Sequence, residues 1–105
     1  MTDVDKDLVV SLRQALSMPM SFAFVAKGSS DGALVVAKSV SSKDISDAKT
    51  ACGGSQVFQG RCRGEQGKLV FELPKAPPSA LAGQLKTIIK RDAGLSFNVE
   101  VRVAS

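Results

Sequence analysis

Histidine, tryptophan and tyrosine are absent from the 105 residues, and cysteine occurs only twice. Without histidine the chain lacks the side chain that most readily moves protons near neutral pH, so catalysis would have to rest on a carboxylate, lysine or cysteine with a strongly shifted pKa. The carboxylates Asp31, Asp44, Asp47, Glu65, Glu72, Asp92 and Glu100 are scattered along the chain, with no pair spaced for acid and base roles. Asp44 and Asp47 read as solvated positions on one helix. No enzyme activity is expected.

Cys52 and Cys62 lack the spacing of a zinc site and are too few for a disulfide scaffold, so neither a metal nor another cofactor is expected. Both are read as reduced, structural residues. The sharper alternatives are a Cys52–Cys62 bridge, or a reactive thiol at Cys62 whose pKa the flanking Arg61 and Arg63 would lower. No apolar run approaches the roughly 18 residues of a transmembrane helix, and the start carries Asp3, Asp5 and Asp7 in place of a basic segment leading into an apolar one. A cytoplasmic protein with no membrane association is expected.

The strongest pattern lies at 68–103. Leu95, Phe97, Val99, Val101 and Val103 alternate with Ser96, Asn98, Glu100 and Arg102, the period of two of a strand with one buried face. Ahead of it, Leu81, Leu85, Ile88 and Ile89 recur at helical spacing, with Lys86, Lys90 and Arg91 mostly on the other side. Pro77 and Pro78 suit the entry of that helix and Gly94 its exit. Gly83 within it either costs roughly 1 kcal/mol or marks a close approach to the sheet. Lys68 to Leu73 reads as a further strand, which makes a strand–helix–strand unit.

Earlier in the chain, Asp3 to Leu16 reads as a helix with acidic residues in its first turn. Ser21 to Lys27 and Ala33 to Ser39 form a hairpin around the segment from Gly28 to Gly32, whose glycines and serines lack the lysine and following helix of a phosphate loop. Ser41 to Ala51 reads as a short helix with Ile45 and Ala48 inward, and Gln56 to Arg63 as a strand turning through 64–67. The fold class is therefore α+β: one domain over 1–105, in the order α-ββα-ββα-β, with a five-stranded, mostly antiparallel sheet and the helices packed on one face. Its two ββα segments, about 20–54 and 55–94, match at an offset near 36, with Phe22 on Phe58 and Gly28 on Gly64, and are candidates for an internal duplication.

The net charge of +4 belongs entirely to the second half: six basic and six acidic residues fall within 1–52, eight basic and four acidic within 53–105. Candidate binding residues follow from the strands' polar alternates, namely Gln59, Arg61, Arg63, Asn98 and Arg102, and from a basic cluster on the last helix, Lys86, Lys90 and Arg91. Arginine forks can pair with phosphates or carboxylates. No aromatic residue interleaves with these charges, whereas single-strand readers need stacking platforms. The function expected is a small non-enzymatic protein-interaction module, with a protein partner or self-association into an oligomer. The alternative is a nucleic-acid-binding domain using the basic sheet face or the last helix.

Overall fold

The computed structural model describes residues 4–28 and 31–104. Its elements are α1 (Lys6–Ala15), β1 (Met20–Lys27), β2 (Asp31–Ala37), α2 (Ser42–Cys52), β3 (Gln56–Glu65), β4 (Lys68–Leu73), α3 (Leu81–Ala93) and β5 (Asn98–Val103). The order is the α-ββα-ββα-β expected from the sequence. One sheet runs β2-β1-β3-β4-β5, antiparallel at every pairing except β4 with β5, which is parallel. A radius of gyration of 12.4 Å fits a single domain of this length. Among the described residues no helix is long and apolar enough to cross a membrane.

Local chemistry explains the boundaries. Asp5 caps α1 by accepting from the backbone N–H groups of Asp7 and Leu8. Asp3 lies outside the described residues, so its part in the acidic first turn does too. Ser41 and Asp44 form a reciprocal capping box at α2, so Asp44 closes the helix start and is not simply a solvated position. Between β3 and β4 the chain reverses on Gln66 and Gly67, both at positive φ, the two-residue turn whose twist suits a hairpin. The prolines expected at the entry of α3 sit ahead of it: the helix starts at Leu81, whose N–H donates to the Pro78 carbonyl. Gly83 has open space where a Cβ would sit, so it marks no approach to the sheet.

The main core lies between the sheet and two helices. Leu8, Leu12 and Ala15 of α1 and Leu81, Leu85, Ile88 and Ile89 of α3 close over Phe22, Phe24, Leu34, Cys62, Leu69 and Phe71. Gly60 is what lets Phe22 and Phe71, two strands apart, meet edge to face with ring centres 4.9 Å apart. A Cβ at Gly60 would run into the Glu72 carbonyl and crowd the Phe22 ring. Along β5, Val99 and Val101 pack half-buried against the core as expected, whereas Val103, expected on the same buried face, is 51% exposed at the end of the strand. The strand is shorter than the apolar pattern from Leu95, because β4 offers only six residues to pair with. Leu95 and Phe97 still pack against the core from outside the strand.

The placement of α2 corrects the expectation that all three helices share one face. Its buried Ala48 takes no part in the main core, and it rests on β1 and β2. Cys52 Sγ lies 3.9 Å from the Val25 carbonyl, and a Cβ on Gly54, just past the helix, would come within 3.0 Å of the Val25 side chain. Val25 and Ala23 point away from Phe24 and Ala26, so α2 covers the opposite face, where both are fully buried. The strand order explains this. β2 and β3 point one way and β4 and β5 the other, while both helical crossovers step in the same direction along the sheet. Right-handed connections then land on opposite faces.

Candidate functional site

On the face that carries α2, the part of the sheet formed by β3, β4 and β5 has charged side chains in place of a helix. Glu72 and Arg63 meet at 3.0 Å, Arg63 and Glu65 at 2.9 Å, and Lys68 and Glu100 at 2.6 Å. Arg102 forks onto both oxygens of Glu65, at 2.8 and 3.0 Å, and also pairs with Glu100. These six residues form one continuous chain of ion pairs, three charges of each sign. At its centre is Val70, fully buried, with Arg63 and Glu100 as cross-strand partners and Lys68 and Glu72 two residues away along its own strand. The long side chains roof Val70 with their aliphatic stems while their charged ends face water.

The pairing holds Glu65 below the ordinary glutamate value, chiefly through the hydrogen bonds from Arg102, and Glu100 likewise through those from Lys68 and then Arg102. Arg102 is held protonated by Glu65 first and Glu100 second. Two of the candidate binding residues, Arg63 and Arg102, are thus already satisfied by carboxylates. A third, Arg91, donates to Asp31 at 2.6 Å, to Asp92 at 2.8 Å and to the Gly32 carbonyl at 3.0 Å. Together with Gln84, whose Nε2 donates to the Asp31 carbonyl at 2.7 Å, it latches α3 to the β1–β2 hairpin. Arg91 therefore leaves the basic cluster of the last helix, where Lys86 and Lys90 remain exposed one turn apart. Ser29 and Ser30, which follow Gly28 in the sequence, lie outside the described residues.

Gln59, Arg61 and Asn98 are exposed on the same face as the ion-pair chain. Arg61 makes no ion pair among the described residues. Its neighbour Cys62 points the other way, into the core, so the flanking arginines do not activate it. Burial pushes its thiol up to about 12. Cys52 belongs to α2, on the opposite face from Cys62, and both are free thiols, which removes the Cys52–Cys62 bridge as an alternative. Among the described residues no three His, Cys, Asp or Glu side chains come together as a metal site.

A cleft of about 510 Å³ lies at one half of a single strand and includes Gln56, Phe58, Gln59, Leu73, Pro74 and Lys75 in its walls. β3 pairs with β1 over Gln56–Cys62 but with β4 only over Arg61–Glu65. Extending the β3–β4 register would set Pro74 opposite Gln59 and Pro77 opposite Gln56. Proline has no N–H to donate to a ladder, and the chain turns away after Leu73. Among the described residues no backbone hydrogen bond crosses from 56–60 to 74–78. A shallower cleft of about 410 Å³ adjoins it, sharing Gln59 and Pro74 and adding Arg61, Ser21 and Val40. Among the described residues, the two linings contain Lys75 and Arg61 and no carboxylate.

Sequence reasoning placed Gln59 and Arg61 on the right face but missed Lys75 and the open strand edge. The signal was present in the unequal arms of the second hairpin and the proline that ends the shorter one. No family model matches the chain, and neither a curated protein nor a solved structure is significantly similar to it.

Proposed function

We propose that this chain is a non-enzymatic protein-interaction module, with the cleft along the first half of β3 as its contact site. The observation that carries this reading is a cleft walled by a strand edge, amides and prolines. Among the described residues, its lining has no nucleophile beside a base and no pair of carboxylates. Of the carboxylates weighed for acid or base roles, Asp31, Glu65, Glu72, Asp92 and Glu100 are bound into ion pairs and Asp44 into a helix cap.

The nucleic-acid alternative draws its support from Lys86 and Lys90, exposed and unpaired among the described residues. Against it stand the three-to-three balance of the ion-pair chain on β3–β5, which leaves Arg61 as the one excess charge of those strands, and the position of the phenylalanines. Phe22, Phe24 and Phe71 are core residues, and Phe58 and Phe97 pack against the same core, which leaves no base-stacking platform on the charged face.

The test pairs two measurements. Selection from a phage-displayed library of random octapeptides is expected to enrich binders, while labelled single-stranded RNA, single-stranded DNA and duplex DNA give flat anisotropy titrations at low salt. Nucleic-acid binding that weakens steeply with salt, together with a library that yields nothing, would reverse the order of the two readings.

A further inference from the structure

We infer that the open half-edge of β3, at Gln56–Gly60, takes up an extended acidic segment of a protein partner as an added strand. This deepens the interaction-module reading and rests on it. Three observations converge on that occupant.

The first is the backbone. Along Gln56–Gly60 one edge of β3 is bonded to β1, so every second residue turns its N–H and C=O toward the other edge. There the chain offers prolines, which have no N–H for the strand's carbonyls, and among the described residues no backbone hydrogen bond reaches across from 74–78. An extended peptide satisfies such groups with its own backbone, and strand addition of this kind draws its affinity from main-chain hydrogen bonds and its specificity from alternate side chains.

The second is the shape of the two sides. A strand laid along this edge sends alternate side chains to opposite faces of the sheet. On the helix-covered side they meet Leu73 and the half-buried Phe58, an apolar setting. On the other side lie Gln59 and Arg61, both exposed. The ligand that fits alternates apolar and polar residues.

The third is charge. Among the described residues, Arg61 and Lys75 are the only charged ones in the two adjoining clefts, and the nearby glutamates are occupied by Arg63, Lys68 and Arg102. The polar positions of the incoming strand are therefore acidic. A second copy of the chain matches less well: of its edge strands, β2 carries Asp31, which is held by Arg91, and β5 carries Glu100 and Arg102, which are held by each other.

The probe is an octapeptide alternating glutamate and valine, titrated into the isotope-labelled chain and followed by NMR. Expected are shift changes at Gln56–Gly60, Arg61 and Lys75, with slowed hydrogen exchange at alternate amides of Gln56–Gly60. Arg61→Glu and Lys75→Glu, both at exposed positions, should each weaken binding about fivefold, the scale of one solvent-exposed ion pair. N-methylation of every second residue of the probe should abolish binding in one phase and be tolerated in the other, because only one set of its amides faces β3. Replacing its glutamates with lysine should also abolish binding. Binding that ignores N-methylation, or that leaves the Gln56–Gly60 amides unprotected, overturns strand addition and leaves the broader interaction reading standing. Absence of binding by this probe overturns the inference as well, and the peptide selection then decides the broader reading on its own.

Discussion

β3 is one strand with two unlike half-edges. Over its last residues the side away from β4 is plugged by the α1–β1 connection, so closely that a Cβ on Gly64 would fall 2.6 Å from the Leu16 Cα, and the space left is about 120 Å³. Over its first residues the side away from β1 faces a cleft of about 510 Å³. The charges differ in the same sense. Arg63 and Glu65 are bound into the ion-pair chain, while Gln59 and Arg61 stand exposed. A strand edge left open is a liability that folded chains commonly close with a helix, a loop or charge. Here one half of the strand shows the closure and the other half its absence, which makes the open half the place to look for a partner.

The largest effects should come from the core beneath both halves. Val99→Asp sets a carboxylate beside its strand partner Leu69, on the helix-covered face, and should unfold the domain or weaken it by several kcal/mol in urea denaturation. Phe71→Ala removes the ring that meets Phe22 and should cost about 3–5 kcal/mol. If Phe71→Ala melts like the parent, the packing described beneath Gly60 is wrong.

A second pair of variants separates the two halves directly. Arg102→Ala opens the roof over Val70 and releases two carboxylates, so its melting temperature should fall measurably. Arg61→Ala, on the exposed half, should melt like the parent. Equal effects would erase the distinction between bound and available arginines.

Acid should act on the closed half in the same direction. Glu65 and Glu100 are depressed below their ordinary value of 4.5, so each stabilises the fold in its charged form. That contribution is complete above pH 4.5 and is lost as pH falls through the lowered folded-state values. The urea midpoint should therefore decline below pH 4.5, and decline less in Arg102→Ala. The smallest effect lies far from either half. Gly83→Ala meets open space on α3 and should raise stability by about 0.8–1 kcal/mol.

Much of this architecture was readable from spacing. The bounds of β4, the apolar stripe of α3 and the inward positions of Val99 and Val101 on β5 are local patterns, and the structure reproduces them, while Val103 at the end of β5 is exposed. The face taken by α2 was not readable in the same way. It depends on β1 lying between β2 and β3, a long-range fact that no periodicity encodes. The fate of the arginines was hidden for a similar reason: Arg102 and Glu65 are 37 positions apart, and only the sheet order brings them together across β4. The open edge stands between these cases. Counting back from the turn at Gln66 and Gly67 shows β4 running out of residues before β3 does, and Pro74 shows why the ladder stops there. The two ββα segments share their hairpin pattern but not the face on which their helices land.

Amide hydrogen exchange along β3 in the free chain tests the contrast between its two halves most directly. Arg61 and Cys62, paired on both sides, should be the slowest positions of the strand, and alternate amides within Gln56–Gly60 should exchange far faster. Uniform protection from Gln56 to Gly60 would mean that the segment after Leu73 closes the edge, and the cleft would then have no strand to offer a partner.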